Sequence, residues 1–198
     1  MRSVGVALVT MPYSGMLLRL AEPDDALPVA RVHVRSWQVA YRGLLPDEYL
    51  DQLHPEDRAS RYDFTHIDPL KPRTIVAADG ATILGFATTM PSRDEDLVGY
   101  GELCALYVAP ELWARGIGRA LVSAARAHLF EAGFRNALLW VLAGNLRATR
   151  FYEGDGWIAD GHQRTESMWG VTVNEIRYLR GFLSAHPRTR TDHERIVQ

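Results

Sequence analysis

Between Glu102 and Leu121 the chain changes its apolar period once, and that change restricts the folds open to it. Leu103 to Val108 is an apolar run of strand length, closed by Pro110 because proline brings no N–H to a sheet ladder. From Arg115 onward, Ile117, Leu121, Ala124 and His128 recur on one helical face. Gly116 and Gly118 stand at the join. Lacking Cβ atoms, they let backbone approach a ligand closely, and a helix N-terminus supplies unpaired N–H donors and partial positive charge. The stretch reads as an anion-binding turn; the plainer alternative is a tight turn with no ligand. A dinucleotide fingerprint would need Gly or Ala where Leu121 stands, and a Walker-type loop needs Gly-Lys-Ser/Thr, which occurs nowhere.

Composition narrows the setting. At 198 residues, with 47% hydrophobic and 23% charged residues, the chain suits one domain with a substantial core. A formal net charge of -2 argues against a nucleic-acid partner. The single Cys104 excludes an intramolecular disulfide and agrees with a reducing, cytoplasmic location; inside an apolar strand it reads as a buried structural thiol. No apolar run reaches the roughly 20 residues of a membrane helix, so no membrane partner is expected. The seven histidines form neither His-x-His nor His-Glu-x-x-His, and no metal is expected; His128 reads as a core residue.

In chain order, residues 1–15 read as an extension, dispensable or the product of an upstream start with Met16 as the true beginning. A domain over 16–183 follows, then a polar tail over 184–198. Met16 opens a first strand, and Leu27, Ala30, Val34, Trp37 and Tyr41 form a helical stripe. Helical pieces are expected at Asp47–Leu53 and Pro55–His66. Thr74–Ala78 and Ile83–Thr89 make a hairpin around Asp79-Gly80. The charged Ser92–Asp96 segment reads as a solvated turn, or else as an acidic lure for a cationic amine. After the central helix, Gly133 is a C-cap and Asn136–Leu142 a strand, so strand–helix–strand predicts a parallel crossover. A helix from Gly144-Asn145 and a closing antiparallel pair, Trp157–Glu166 with Val171–Phe182, complete the order.

Two motifs carry a family resemblance. Trp113, Ala114, Arg115, Gly116, Ile117 and Gly118 align with Gln/Arg-x-x-Gly-x-Gly/Ala, with Trp113 departing from the usual Gln/Arg. Asn145 to Trp157 is close to Asn-x-x-Ala-x-x-Phe-Tyr-Glu-x-x-Gly-Phe. Both motifs, and the element order over roughly Leu17 to Phe182, resemble the GNAT N-acetyltransferases. The resemblance implies an α/β fold: a mixed, mostly antiparallel sheet with a central splayed parallel strand pair, flanked by helices. It implies acetyl-CoA as cosubstrate, a small-molecule or peptide amine as acceptor, and a homodimer as a common state. Main-chain groups of Leu106, Tyr107 and Val108 would then hold pantetheine, and amides from Ala114 through Arg115, Gly116, Ile117 and Gly118 to Arg119 the pyrophosphate. Asn145 would also contact pantetheine, and Tyr152 would protonate the departing sulfur.

Asn145 and Tyr152 lie seven residues apart on one helical face, about 10 Å apart if helical. Read alone, they are equally an N-cap and a packing aromatic. Trp37 and Tyr41 are an acceptor wall by resemblance and core aromatics otherwise. A lysine-like amine of pKa about 10.4 is neutral only about once in 2,500 molecules at pH 7, so a base or a desolvating pocket is needed. Glu102, near the spacing at which histone-type members carry their base, is the candidate; a solvated or paired strand-end carboxylate is its rival role. A non-catalytic acyl-CoA-binding module stays open beside the enzyme.

Overall fold

A computed structural model describes residues 15–66, 68, 70–168 and 170–182; the expected extension, apart from Gly15, and the polar tail lie outside them. The elements run β1 (Leu17–Leu20), α1 (Ala26–Ala40), α2 (Asp47–Asp51), α3 (Pro55–Ala59), β2 (Arg73–Asp79), β3 (Thr82–Pro91) and β4 (Gly101–Val108). Then follow α4 (Ile117–Glu131), β5 (Asn136–Leu142), α5 (Leu146–Gly154), β6 (Ile158–Met168) and β7 (Val171–Gly181). One seven-stranded sheet has the order β1-β2-β3-β4-β5-β7-β6. All neighbours are antiparallel except β4 and β5, the pair bridged by α4. The mixed sheet with one parallel pair is the architecture expected.

The expected helix from Pro55 to His66 ends at Ala59. Beyond it, Asp63 ties its carboxylate to the Thr65 N–H and hydroxyl, a local bond that competes with helix propagation. The apolar stripe of α4 also differs from expectation: Ile117 and Leu121 are buried with Val122, Ala125 and Leu129, while His128 is half-buried at the margin. Gly133, at φ +100°, ends α4 in a Schellman motif, with Gly133 N–H donating to Phe130 O and Phe134 N–H to Leu129 O.

The core has two faces. Under α4 lie Leu103, Ala137, Leu139, Val141 and Tyr178. Under α1, Val29 and Val32 meet Val76, Ile83 and Phe86, and Trp37 meets Leu45, Leu50 and Val173. Gly101 is dictated by this packing, because a Cβ there would stand 2.6 Å from Leu129 Cδ2.

The central strand is bent. Thr88 pairs with Ala105 but Thr89 with Leu103, so Cys104 is an extra residue, a β-bulge. Pairing between β4 and β5 covers only Gly101↔Ala137 and Glu102↔Leu138. From the bulge onward the two strands part.

The Ser92–Asp96 segment is a solvated turn only in part: Arg93, Glu95 and Asp96 are exposed, but Asp94 and Asp96 are fastened to the sheet. Arg177 on β7, only 3% exposed at its side chain, binds Asp94 at 2.9 Å, both oxygens of Asp96 at 2.8 Å, and Asp160 at 2.9 Å. Trp140 stacks beneath, 4.1 Å from the Arg164 guanidinium. Asp94 and Asp96 tie the β3–β4 loop to β6 and β7. A buried cation shared by three carboxylates is costly to remove, since the carboxylates remain. Arg177→Met should lower unfolding stability by about 3 to 5 kcal/mol in urea denaturation, whereas a loss near zero would mean the cluster is solvent-screened.

Candidate functional site

Where β4 and β5 part, a cavity of about 1010 Å³ opens through the molecule, from α1 and α3 past the divergence to the starts of α4 and α5. Its floor is the exposed edge of β4. Ala109 donates its N–H to Leu84 O, so by the two-residue alternation of an antiparallel ladder Tyr107 also faces β3. Leu106 and Val108 therefore turn their main-chain groups toward the gap that β5 has left. Val108 O is already taken, by Ser36 Oγ at 3.0 Å and Trp113 Nε1 at 2.8 Å. The Val108 N–H and the Leu106 N–H and C=O are the groups this edge presents. Tyr107, expected to contribute main chain, instead lends its ring and hydroxyl, because its backbone belongs to the ladder with Phe86.

The glycine turn lies at the end of that edge. Ala114 (φ +61°) is the one non-glycine among the described residues in the left-handed region, and Gly116 follows at φ +83°. A left-handed alanine costs on the order of 1–2 kcal/mol. Such alternation gathers successive N–H groups into a concave nest. No side chain caps α4, so its first N–H groups join that nest. A Cβ on Gly118 would stand 3.5 Å from the Phe151 ring and 3.8 Å from Val108, in the mouth of the gap. Ile117 is fully buried and offers only its N–H, Arg119 lines the cavity, and Arg115 is exposed and does not.

Trp113 has a second role that the sequence did not announce. Its ring carries the Arg147 guanidinium at 3.7 Å, a cation–π contact that holds a positive charge beside the nest. Arg147 and Arg150 both line the cavity from α5. Asn145 caps α5, its Oδ1 accepting the Ala148 N–H at 3.1 Å, and lines the cavity as well.

Tyr152 is 9% exposed, packed edge-on against Phe151 and Trp157. Burial, with the neighbouring Tyr107 and Asp155, pushes its hydroxyl well above the usual phenol range. It holds its proton at neutral pH and is a donor. Opposite it, the Tyr41 and Tyr107 hydroxyls are 3.4 Å apart, and Trp37, 1% exposed, meets the Tyr41 ring edge-on at 4.9 Å. The two expected acceptor residues thus share one aromatic chamber, Trp37 also serving as core.

Glu102 departs from expectation. It is 2% exposed and is not part of the cavity wall. Arg93 Nη2 holds Oε1 at 2.6 Å, while Arg93 Nε and N–H reach Oε2 at 3.1 and 3.3 Å. With both oxygens engaged it is the paired strand-end carboxylate, and it is Arg93 that faces the cavity. Cys104, expected in the core, lies at the bulge on the cavity wall, its thiol pushed up by burial and then by the charge of Glu102. Among the described residues no cluster of His, Cys, Asp and Glu suits a metal ion.

Glu175, unremarked in the sequence, is 5% exposed on β7 and lines the chamber. Its only signal was alternation: Val173, Glu175 and Arg177 share one face of a strand whose other face, Ile176 and Tyr178, is core.

The model of the acetyltransferase (GNAT) family matches residues 35–157. The uncharacterized N-acetyltransferase YuaI of Bacillus subtilis is 30% identical over 128 residues, 65% of this chain and 72% of that protein. A mycothiol acetyltransferase of Propionibacterium freudenreichii is 34% identical over 167 residues, 75% of this chain but only 47% of its own length. Among solved structures, the PaiA N-acetyltransferase of Thermoplasma acidophilum, in complex with coenzyme A, superposes with TM-score 0.60 at 19% identity, over 84% of this chain and 99% of that one. YncA of Salmonella typhimurium, with acetyl-CoA, gives 0.61 at 18%, over 88% and 99%. No helix of the described residues is long and apolar enough to cross a membrane.

One wall of the chamber is pH-sensitive. His33, 2% exposed, stacks on Tyr107 at 4.4 Å, and its Nδ1 lies 2.5 Å from the Tyr62 hydroxyl. Burial, and then the Arg58 charge, hold it well below the usual imidazole value. The unfolded chain therefore binds a proton near pH 6.5 that the folded chain refuses, so this contribution is whole above that pH and declines below it. Thermal unfolding followed from pH 7.5 to 5.5 should show a falling Tm, and His33→Gln should flatten the slope; an unchanged slope would refute the assignment.

Proposed function

The chain belongs to the GNAT acetyltransferase family, an acyl-CoA-dependent enzyme, and from that premise we propose that it transfers the acetyl group of acetyl-CoA to the primary amine of a small molecule or peptide. The observation that carries this reading is the pair of main-chain surfaces that face one cavity: the parted edge of β4 at Leu106 and Val108, and the left-handed glycine turn at the uncapped start of α4. Leu106 and Val108 would hold the pantetheine as an added strand. The amides from Ala114 to Arg119 would take the pyrophosphate, with Arg147 adding charge from its seat on Trp113. Coenzyme A and acetyl-CoA accompany the structural neighbours named above, and the arrangement here suits the same carrier.

The Val108 N–H would polarise the thioester carbonyl as negative charge develops on its oxygen. The neutral amine nitrogen bonds to the carbonyl carbon and the carbon–sulfur bond breaks. Tyr152 gives its proton to the sulfur, and the proton shed by the nitrogen restores the phenol. Glu102 acts at one remove, by fixing Arg93. The single free cysteine suits a cytoplasmic enzyme.

Tyr152→Phe should lower kcat on the order of 10²-fold, the lower end for acid catalysis, with acetyl-CoA affinity nearly kept; wild-type turnover in thiol-release kinetics would remove Tyr152 from the mechanism. Gly118→Ala should fold normally, since its Cβ meets ordinary contacts. Gly118→Asp should abolish acetyl-CoA binding by calorimetry, and retained affinity would place the diphosphate elsewhere. Binding of acetyl-CoA without thiol release for any amine would favour a non-catalytic acyl-CoA-binding module.

A further inference from the structure

Glu175 is the buried carboxylate that the steps above leave idle. Arg164 holds it from one side only: Nε at 2.8 Å and Nη2 at 2.7 Å both fall on Oε2. The contrast with Glu102 is geometric, since there both oxygens are bound and the group lies off the cavity. Trp37, Leu45 and Val173 wall the chamber around Glu175, with the Tyr41 and Tyr107 phenols and the buried His33 ring beside them. The Glu175 charge reaches the hydroxyls of Tyr41 and Tyr107, adding to the burial that pushes both up. Tyr107 in turn acts on Tyr152. The carboxylate, the two phenols and the proton donor thus lie within electrostatic reach of one another in one chamber.

The outer end of the same cavity carries more cations than acids, its one carboxylate among the described residues being Asp63, which is tied to Thr65 and His66. Arg58, Arg61 and Lys71 line it, and Arg58 also acts on the Tyr107 hydroxyl, so a guanidinium and a carboxylate bear on the same phenol. Arg61 and Lys71 are exposed; the Lys71 charge acts on the Asp63 carboxylate, but among the described residues neither cation forms an ion pair within salt-bridge distance.

We propose that the acceptor is a small primary amine carrying an anionic group at its other end, a carboxylate or a phosphate, with its ammonium docked on Glu175 Oε1 and its anion held by Arg61 and Lys71 beside Arg58. The assignment rests on the acetyltransferase reading above. Glu175 takes one proton from the ammonium on Oε1 while Oε2 keeps its two bonds to Arg164, and the amine is left neutral. The amine then attacks, the nitrogen's second proton passes to the Tyr152 phenolate, and Glu175 releases its own proton to water as products leave.

The test uses the full chain, acetyl-CoA and three matched primary amines ending in a carboxamide, a carboxylate or a phosphate. Wild-type kcat/KM should favour one or both anionic amines over the carboxamide by at least about tenfold, and the better of the two identifies the anion. Equal values across the panel would overturn the anionic half of the proposal. Glu175→Gln should lower kcat/KM about 10²- to 10³-fold for the favoured amine while calorimetry gives an unchanged acetyl-CoA Kd. Glu175→Asp, which keeps the charge but draws it back, should fall in between and guards against a folding defect in the first variant. Wild-type kcat/KM in Glu175→Gln would overturn the role of Glu175. Replacing Arg61 and Lys71 together by Ala should raise KM for the anionic amine about tenfold and narrow the preference; an unaltered preference would refute their part. Absence of thiol release from wild type with every amine, despite tight acetyl-CoA binding, would instead sink the acetyltransferase reading and this assignment with it.

Discussion

A single extra residue in the central strand determines what this fold can do. Parallel pairing of β4 with β5 is satisfied at Gly101 and Glu102, and the bulge at Cys104 then takes β4 out of register. Backbone groups left bare inside a protein cost free energy unless something meets them. Here Ser36 and Trp113 meet one carbonyl, and the amides further along face a cavity. The divergence is thus both a structural debt and an opening, held apart by packing on either face: α4 on one side, α1 on the other.

The charges around that opening are sorted by place. Cations line the end near the nest, with Arg119, Arg147 and Arg150. The chamber beyond Tyr152 is narrow in polarity, with a carboxylate partnered on one oxygen and phenols that keep their protons. Asp94, Asp96 and Asp160 are taken up in ion pairs that fasten loop to sheet around Arg177. A low-dielectric chamber magnifies whatever charge is left unmatched, which is why one oxygen of Glu175 carries so much weight.

Local signals in the sequence predicted local structure well. The Gly116-x-Gly118 join, the Asp79-Gly80 hairpin and the Gly133 cap each stand where their backbone chemistry put them, and Asn136–Leu142 is a strand over its full expected length. Pairings across the chain were invisible. Arg177 reaches acids 81 and 83 positions away, so the Ser92–Asp96 run looked like a solvated turn. Glu102 resembled a base because nothing local reveals that Arg93, across the β3–β4 loop, closes on both of its oxygens. Glu175 passed unnoticed for the converse reason: a carboxylate in an alternating strand reads as the wet face until the opposite wall is known.

The tryptophan at position 113 would change how the molecule responds to a ligand. By seating the cation of Arg147 it moves the anion-seizing charge off the loop and onto α5, five residues ahead of Tyr152 in the same helix. A diphosphate drawn to that guanidinium would pull on the rigid rod that also bears the phenol. Capture of the carrier and alignment of the proton source would then be one mechanical event.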